Sequence, residues 1–144
     1  GSKSYENKLL KMNSRLKISS HSCPLFVPLI EEGLISHKIT SDICDLYLDK
    51  DIFKLIDVLI LGCTHYPLLI DQIQEYIPKD TTILDSAKIV ALYVKKIFKK
   101  NILLTANKNK KQDQYYLTDK SIQFNKLAAI FLKESSINIK YIKL

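Results

Sequence analysis

Apolar residues in this chain occur in two patterns, which alternate along its length. Short unbroken runs, of which residues 58–61 are the clearest, are typical of buried parallel strands covered on both faces. Longer segments with apolar residues every three or four positions predict helices. The predicted strands cover residues 58–61, 81–84, 115–118 and, more weakly, 18–20 and 137–142. The predicted helices cover residues 3–12, about 36–55, 68–77, 87–100 and about 121–134.

Strands that alternate with helices predict an α/β fold, with a mostly parallel sheet in the middle of a three-layer α/β/α arrangement. Local signals set several helix ends. Asp85 and Ser36 are expected to cap the helices that follow them. In residues 25–33, Pro28 predicts a break between two helical turns, and Gly33 ends the segment.

At 144 residues, the chain has the length of one ordinary domain with a real core. No apolar run approaches the roughly 18–20 residues of a membrane span, and no signal-peptide pattern is visible. The sequence therefore predicts a soluble, cytoplasmic protein with no membrane partner. Its three cysteines are widely spaced and odd in number, which favours free thiols over a disulfide scaffold.

The formal net charge of +7 comes mainly from lysines scattered over predicted solvent-facing positions. Only residues 108–111, within a polar loop predicted at 105–114, form a tight basic cluster. No nucleic-acid-binding motif accompanies the charge. We therefore interpret it as a solvated surface and expect no nucleic acid partner.

Reactive side chains are concentrated directly after the strand predicted at 58–61. Gly62 is expected to permit a sharp exit from that strand, and Pro67 suits the first turn of the next helix. Cys63 would then lie near a helix N-terminus, where the helix dipole favours a thiolate and His65 can exchange protons with it. Open α/β sheets bind ligands at this edge. A buried structural cysteine remains the alternative interpretation of Cys63.

Two segments carry a resemblance to a known family. The first resembles the second cysteine motif of glutamate racemases and runs Leu61-Gly62-Cys63-Thr64-His65-Tyr66-Pro67-Leu68-Leu69. Aspartate racemases usually have an acidic residue where this chain has His65, so the resemblance points to the glutamate branch of the aspartate/glutamate racemase family. Residues 23–33 resemble the family segment with a catalytic-site carboxylate, to which Glu31 aligns better than Glu32. An exposed acidic helix end is the alternative interpretation of these two glutamates.

The resemblance implies a cofactor-independent isomerase that is built from two α/β lobes and interconverts L- and D-glutamate. One thiolate removes the Cα proton, and a thiol on the opposite face returns one. Cys63 then corresponds to a catalytic thiol that contacts the substrate, Thr64 to a substrate-binding residue, and His65 to the residue that assists the thiol. Glu31 corresponds to a carboxylate that orients or tunes His65 or the substrate ammonium. No metal is implied.

The same resemblance implies a biological role, which is the supply of D-glutamate for peptidoglycan. The chain would thus serve cell wall biogenesis and cell shape from the cytoplasm. A homodimer is a further option. L- and D-glutamate are the small-molecule partners that follow from this interpretation.

The resemblance covers nearly the whole chain but corresponds only to the carboxyl-terminal half of the family. Residues 1–86 are then the remainder of the second lobe, and residues 87–144 return toward a first lobe that is incomplete here. The family's Asp-Ser-Gly-Gly opening, Cys-Asn-Thr motif and Pro-Tyr-Gly segment are absent. Neither Cys23 nor Cys44 lies in a segment that resembles the motif of the missing cysteine. We therefore expect this chain alone to be inactive, whether truncated or half of a split enzyme, and the amino-terminal half to be its partner.

Two other functions remain open at this point. His21 and Cys23 mirror Cys63 and His65 at two predicted strand ends, which could form a Cys/His zinc site, although the i, i+2 spacing is not the usual zinc pattern. The missing motifs also allow a non-catalytic ligand-binding or interaction fragment. His37, at a predicted helix start, has the simpler interpretation of a solvated side chain.

Overall fold

The structure, a computed structural model, describes residues 3–100, 113–119, 122–133 and 137–143. Its helices are α1 Ser4–Met12, α2 Phe26–Glu31, α3 Lys38–Tyr47, α4 Lys50–Phe53, α5 Ile70–Gln74, α6 Ser86–Lys100 and α7 Ile122–Leu132, with a 3₁₀ helix at Tyr66–Leu69. Its strands are β1 Val58–Leu61, β2 Thr82–Asp85, β3 Tyr115–Leu117 and β4 Ile139–Tyr141. Among these residues, no helix combines the length and the apolar character needed to cross a membrane.

The strands pair in parallel, as the unbroken apolar runs predict. β1 pairs with β2 from Val58 opposite Thr82 to Leu61 opposite Asp85. β3 pairs with β4, beginning with Tyr115 opposite Ile139. Within the described ranges, the four strands form two separate two-stranded sheets. The α/β class and the parallel pairing of the strands are confirmed.

The core lies in the first part of the chain. Every buried apolar side chain among the described residues falls between Cys23 and Ile77. Phe26 and Ile30 of α2 are fully buried, and the Phe26 ring meets the rings of Tyr47 and Tyr66 edge to face at 5.5 Å and 5.6 Å. This packing fixes α2 against the loop that follows β1.

Side chains of aspartate and histidine cap α6 and α3. The Asp85 carboxylate accepts hydrogen bonds from the backbone N–H groups of Ala87 at 2.8 Å and Lys88 at 3.3 Å, which confirms its predicted role in capping α6. At α3, His37 provides the cap in place of Ser36, because its Nδ1 accepts the Ile39 N–H at 3.2 Å. His37 is exposed but structural.

Four further sequence predictions, about the extent of helices and strands, differ from the structure. Residues 18–20 form no strand, since no neighbouring strand lies beside them in the described part of the chain. The helix expected over 36–55 divides into α3 and α4, and Asp49 begins the second piece by accepting the Asp51 N–H at 2.8 Å. The helix expected over 68–77 is shorter, because residues 68 and 69 end the 3₁₀ helix and α5 covers only Ile70–Gln74. The basic cluster at 108–111 and most of its loop lie outside the described residues.

The fourth difference concerns Pro28, which does not break the helix that contains it. α2 is continuous because Pro28 occupies its first turn, where a backbone N–H has no partner within the helix. The helix ends as predicted at Gly33, which has a φ of 74°. The N–H of Leu34 bonds the Leu29 carbonyl and the N–H of Gly33 bonds the Ile30 carbonyl, both at 2.9 Å, which is the Schellman arrangement.

Candidate active site

The loop after β1 carries the reactive residues that the sequence singles out. Cys63 follows the carboxyl end of the strand, and its carbonyl accepts the Tyr66 N–H at 3.3 Å while the His65 carbonyl accepts the Leu68 N–H at 3.0 Å. The chain therefore winds directly from the strand into the 3₁₀ helix at Tyr66–Leu69. Gly62 adopts no positive φ, and a side chain there would meet open space, so the backbone of this turn does not demand a glycine.

All four predicted site residues meet at the imidazole ring of His65. His65 Nε2 lies 3.4 Å from Glu31 Oε1, and His65 Nδ1 lies 3.8 Å from Cys63 Sγ. Thr64 Oγ1 lies 3.4 Å from the same Nδ1. The imidazole thus connects a carboxylate on one side with a thiol on the other, although residue 31 and residue 63 come from different elements.

Packing between α2 and the Cys63 loop brings these residues together. Ile30 is fully buried, and its neighbour Glu31 therefore faces outward at the end of α2. The Tyr66 hydroxyl donates to the Cys23 carbonyl at 3.1 Å and ties the loop before α2 to the loop after β1. Burial raises the pKa of Tyr66, which favours the protonated phenol that this bond needs.

The contacts of His65 define what it can do. A carboxylate beside Nε2 favours the tautomer in which Nε2 carries the hydrogen, and Nδ1 is then free to accept a proton. Of the two groups beside Nδ1, the Cys63 thiol and the Thr64 hydroxyl, the thiol is the one that can give up a proton, because a hydroxyl is a far weaker acid. If Cys63 transfers its proton to His65, the Glu31 carboxylate stabilises the imidazolium that forms. The arrangement is that of an activated nucleophile or base with an orienting carboxylate.

The other two thiols lie in the core and lack such partners. Cys23 and Cys44 are buried, and burial raises the pKa of each to about 11. Cys63 is only half-buried. Of the three cysteines, Cys63 alone combines access from solvent with an adjacent imidazole.

We expect iodoacetamide at pH 8 to modify Cys63 first, at least roughly tenfold faster than Cys23 or Cys44, because the reagent needs an accessible thiolate. With a pKa of about 11, roughly one in a thousand of each buried thiol is ionised at that pH. Peptide mass spectrometry over time measures the three rates, and labelling in urea serves as the control. The pH must stay below about 9, because a raised thiol pKa means that stability is lost as the pH rises toward 11. Earlier modification of Cys44 would contradict this assignment.

Sequence reasoning missed one residue of the site. The Phe131 ring of α7 lies edge to face with the His65 ring at 6.1 Å. In the sequence, Phe131 belongs to a stripe of apolar residues that predicts core packing, and it is 44% exposed in the structure. A ring beside the imidazole restricts its rotation and shields one of its faces from water.

The remaining candidates do not join this cluster. His21 lies against the rings of Tyr47 and Phe53, at 6.5 Å and 6.0 Å. In the part of the chain that the structure describes, no three His, Cys, Asp or Glu side chains are grouped to hold a metal ion. The zinc hypothesis, which required four such ligands, gains no support from this geometry.

Known proteins similar to this chain are glutamate racemases. The glutamate racemase of Persephonella marina is 52% identical over 105 residues, which are 73% of this chain and 38% of that protein. The solved glutamate racemase of Francisella tularensis, in complex with D-glutamate, superposes with a TM-score of 0.83 at 30% identity and covers 99% of this chain and 53% of its own. The RacE1 isoform of Bacillus anthracis gives a TM-score of 0.81, also at 30% identity, with 97% and 52% covered.

No protein-family model matches the chain. The chain spans about half the length, or less, of the curated relatives it matches.

Proposed function

The chain belongs to the glutamate racemase family, and from this premise we propose that it supplies one of the two proton-transferring faces of a glutamate racemase. The observation that carries the proposal is the contact of His65 with Glu31 on one side and Cys63 on the other, 3.4 Å and 3.8 Å away. Abstraction of a proton from carbon requires a base and a second group that activates the base by removing its proton. Cys63, His65 and Glu31 form such a set.

In the proposed mechanism, Cys63 handles the proton on one face of the substrate Cα. His65 Nδ1 takes the thiol proton, and the thiolate then accepts the Cα proton, which leaves the electron pair on the substrate carbanion. Glu31 stabilises the imidazolium during this exchange. In the reverse direction, the Cys63 thiol donates its proton to the carbanion and His65 restores it. Thr64, which is exposed beside Cys63, binds the substrate.

Inversion also needs an acid or base on the opposite face of the Cα, and the other thiols of this chain do not fit that role. Cys23 is 6% exposed and Cys44 is 0% exposed, so neither can reach a substrate held at Cys63. The second group therefore comes from the half of the enzyme that this chain does not contain. By itself the chain is inactive in this proposal.

Further parts of the proposal follow from the family. The substrates are L- and D-glutamate, and the similar Francisella protein was solved with D-glutamate. The reaction uses no cofactor, since a thiol and an imidazole suffice for the proton transfer. The product D-glutamate would serve peptidoglycan synthesis in the cytoplasm, and hence cell wall biogenesis and cell shape. A homodimer is compatible with this role.

Fusing the amino-terminal half of the Persephonella marina glutamate racemase to this chain tests the proposal. We expect the fusion to interconvert L- and D-glutamate, followed by circular dichroism, without pyridoxal phosphate and in the presence of a chelator. The 144-residue chain alone should show no inversion. Thermal unfolding of the fusion verifies that it folds.

The results separate the alternatives. A folded fusion without activity that still binds D-glutamate would favour the non-catalytic ligand-binding function. Activity that depends on pyridoxal phosphate, or that disappears with the chelator, would contradict the two-thiol mechanism. Turnover by the chain alone would show that the second face does not come from another half.

A further inference from the structure

The side chains around His65 also meet the requirements of a second kind of reaction, which is the transfer of an acyl group to a thiol. His65 Nδ1 lies 3.8 Å from Cys63 Sγ, and His65 Nε2 lies 3.4 Å from Glu31 Oε1. Hydrolases of unrelated folds combine a nucleophile, a base and an orienting carboxylate in this way, and the order of the three along the chain differs between them. Inversion of a carbon needs groups on two faces, whereas acyl transfer needs these three groups on one side only. This chain therefore contains the side chains that acyl transfer requires.

The backbone beside Cys63 adds a further element of such sites. Cys63 lies in the turn between β1 and the 3₁₀ helix at Tyr66–Leu69. Hydrolases with a nucleophile in a strand-to-helix turn stabilise the oxyanion of the reaction with the N–H of the residue that follows the nucleophile. In the described part of the chain, no backbone carbonyl accepts a hydrogen bond from the N–H of Thr64 or of His65. Both groups are available to a negative charge that develops beside the thiol.

The site is open to a substrate that arrives from solvent. The side chains of His65 and Glu31 are 29% and 55% exposed, and Cys63 is half-buried. The Phe131 ring, which is 44% exposed, lies 6.1 Å from the His65 ring and provides an apolar surface there. A small apolar acyl group with a good leaving group suits this combination of a thiol, N–H donors and an aromatic ring.

We propose that this chain, without an amino-terminal half, transfers small apolar acyl groups from activated esters to Cys63 and hydrolyses the thioester that forms. This activity goes beyond the proposed racemisation, although both reactions use Cys63, His65 and Glu31. It does not need the second proton-transferring face that racemisation requires.

The first step acylates the thiol. His65 Nδ1 takes the Cys63 proton, and the thiolate adds to the carbonyl carbon of the ester. The bond between sulfur and carbon forms, and the bond from that carbon to the alcohol oxygen breaks. The alcohol leaves with the electron pair of that bond and with the proton that His65 held.

The second step restores the thiol. His65 Nδ1 takes a proton from a water molecule, whose oxygen adds to the carbonyl carbon of the thioester. The bond between sulfur and carbon breaks, Cys63 regains a proton from His65, and the carboxylic acid leaves. Glu31 stabilises the imidazolium in both steps.

Hydrolysis of 4-nitrophenyl acetate by the 144-residue chain tests the proposal, and absorbance follows the release of 4-nitrophenolate. We expect a burst of about one equivalent per chain and then slower steady turnover, because the acylated thiol accumulates. At pH 7 the burst should be at least roughly 100-fold faster than acylation of the same chain unfolded in urea, where no thiol has an imidazole partner. Peptide mass spectrometry of the acid-quenched burst should locate the acetyl group on Cys63, and this measurement needs no variant.

Substitutions at the thiol and the imidazole identify the two reacting side chains. Cys63→Ala should abolish the burst, and His65→Gln should slow it by roughly 10²–10⁴-fold. His37→Asn is the control for an exposed imidazole outside the site, which could itself attack the ester, and asparagine retains a side chain that caps helices. We expect this control to stay within about twofold of wild type. Circular dichroism verifies the fold of each variant.

Glu31 is a positioning residue in this reaction, because it acts through His65. Glu31→Gln should slow the burst by at least roughly tenfold and shift its pH profile, whereas Glu32→Gln removes the same charge outside the site and should change neither. Glu31→Asp keeps the charge and should recover part of the rate.

Several results would overturn the proposal. These are a burst that persists in Cys63→Ala or at full rate in His65→Gln, acetylation of Cys63 no faster than in urea, and a burst without later turnover. The assay is independent of racemisation. If the chain hydrolyses the ester but the completed enzyme does not racemise glutamate, the proposed function fails while this activity stands. Racemisation by the completed enzyme without ester hydrolysis by the chain would mean the reverse.

Discussion

Replacing Cys63 by alanine is expected to abolish the inversion of glutamate in both directions, once the chain is joined to its amino-terminal half. Each direction needs one base and one acid, on opposite faces of the Cα, and Cys63 provides one of the two in our proposal. Removal of Cys63 should therefore stop the inversion of L-glutamate and of D-glutamate to the same extent. Racemisation of L- and of D-glutamate, each followed by circular dichroism, measures it.

Two further variants make this experiment specific. Cys63→Ser should recover little activity, because a hydroxyl is a far weaker acid than a thiol and His65 cannot ionise it as readily. Cys44→Ala removes a thiol that is fully buried in the core, and it should lower stability without abolishing turnover. The comparison separates loss of a thiol at the site from loss of a thiol in general.

Exchange of the Cα proton with solvent deuterium tests the assignment of one thiol to each face. In Cys63→Ala, the remaining thiol of the completed enzyme can still exchange the proton of one enantiomer, while inversion stops. Mass spectrometry of each enantiomer detects this asymmetry. Full inversion by Cys63→Ala would identify Cys63 as a structural cysteine.

The elements that place this site follow from local sequence signals. The unbroken aliphatic run of β1 predicts a buried parallel strand. Its parallel pairing with β2 is observed, but of its four residues only Leu61 is buried. Asp85 caps α6 and Gly33 ends α2, as their residue types predict. These signals depend on neighbours within about four positions in the chain, so the sequence displays them directly.

The features that the sequence does not reveal depend on distant contacts. Phe131 meets His65 across 66 positions of the chain, and its apolar spacing predicts only that it is covered. Residues 18–20 have strand-like composition but no strand to pair with in the described structure. His37 replaces Ser36 as the cap of α3, because where a helix begins depends on how it packs. The contact of Glu31 with His65 also spans 34 positions, and only the family resemblance indicated it.

The separation of core from site has a consequence for mutational tests. The core holds Cys23 and Cys44, whereas Cys63, His65 and Glu31 are at least partly exposed. A partly exposed contact such as that of His65 with Glu31 contributes roughly 0–1 kcal/mol to stability. Changes at Glu31 should therefore alter catalysis without unfolding the chain.

Replacing Glu31 by glutamine is expected to lower kcat of the completed enzyme by roughly 10²–10⁴-fold, the range of a supporting acid–base group, and to leave measurable turnover. Glutamine can still accept the His65 Nε2 hydrogen, but it carries no charge to stabilise the imidazolium that forms when Cys63 gives up its proton. Glu31 itself carries no proton across the Cα in this mechanism. Its loss should therefore be less severe than that of Cys63.

Glu32→Gln provides the matched control, because it removes the same charge one residue further along, just past the end of α2. We expect this variant to stay within about twofold of wild type. The pH dependence of kcat gives a second measurement, since a carboxylate that acts through His65 shifts the profile whereas a purely structural one does not. Glu31→Asp keeps the charge and should recover part of the rate. Equal activities of Glu31→Gln and Glu32→Gln would remove Glu31 from the mechanism and leave His65 and Cys63 to act as a pair.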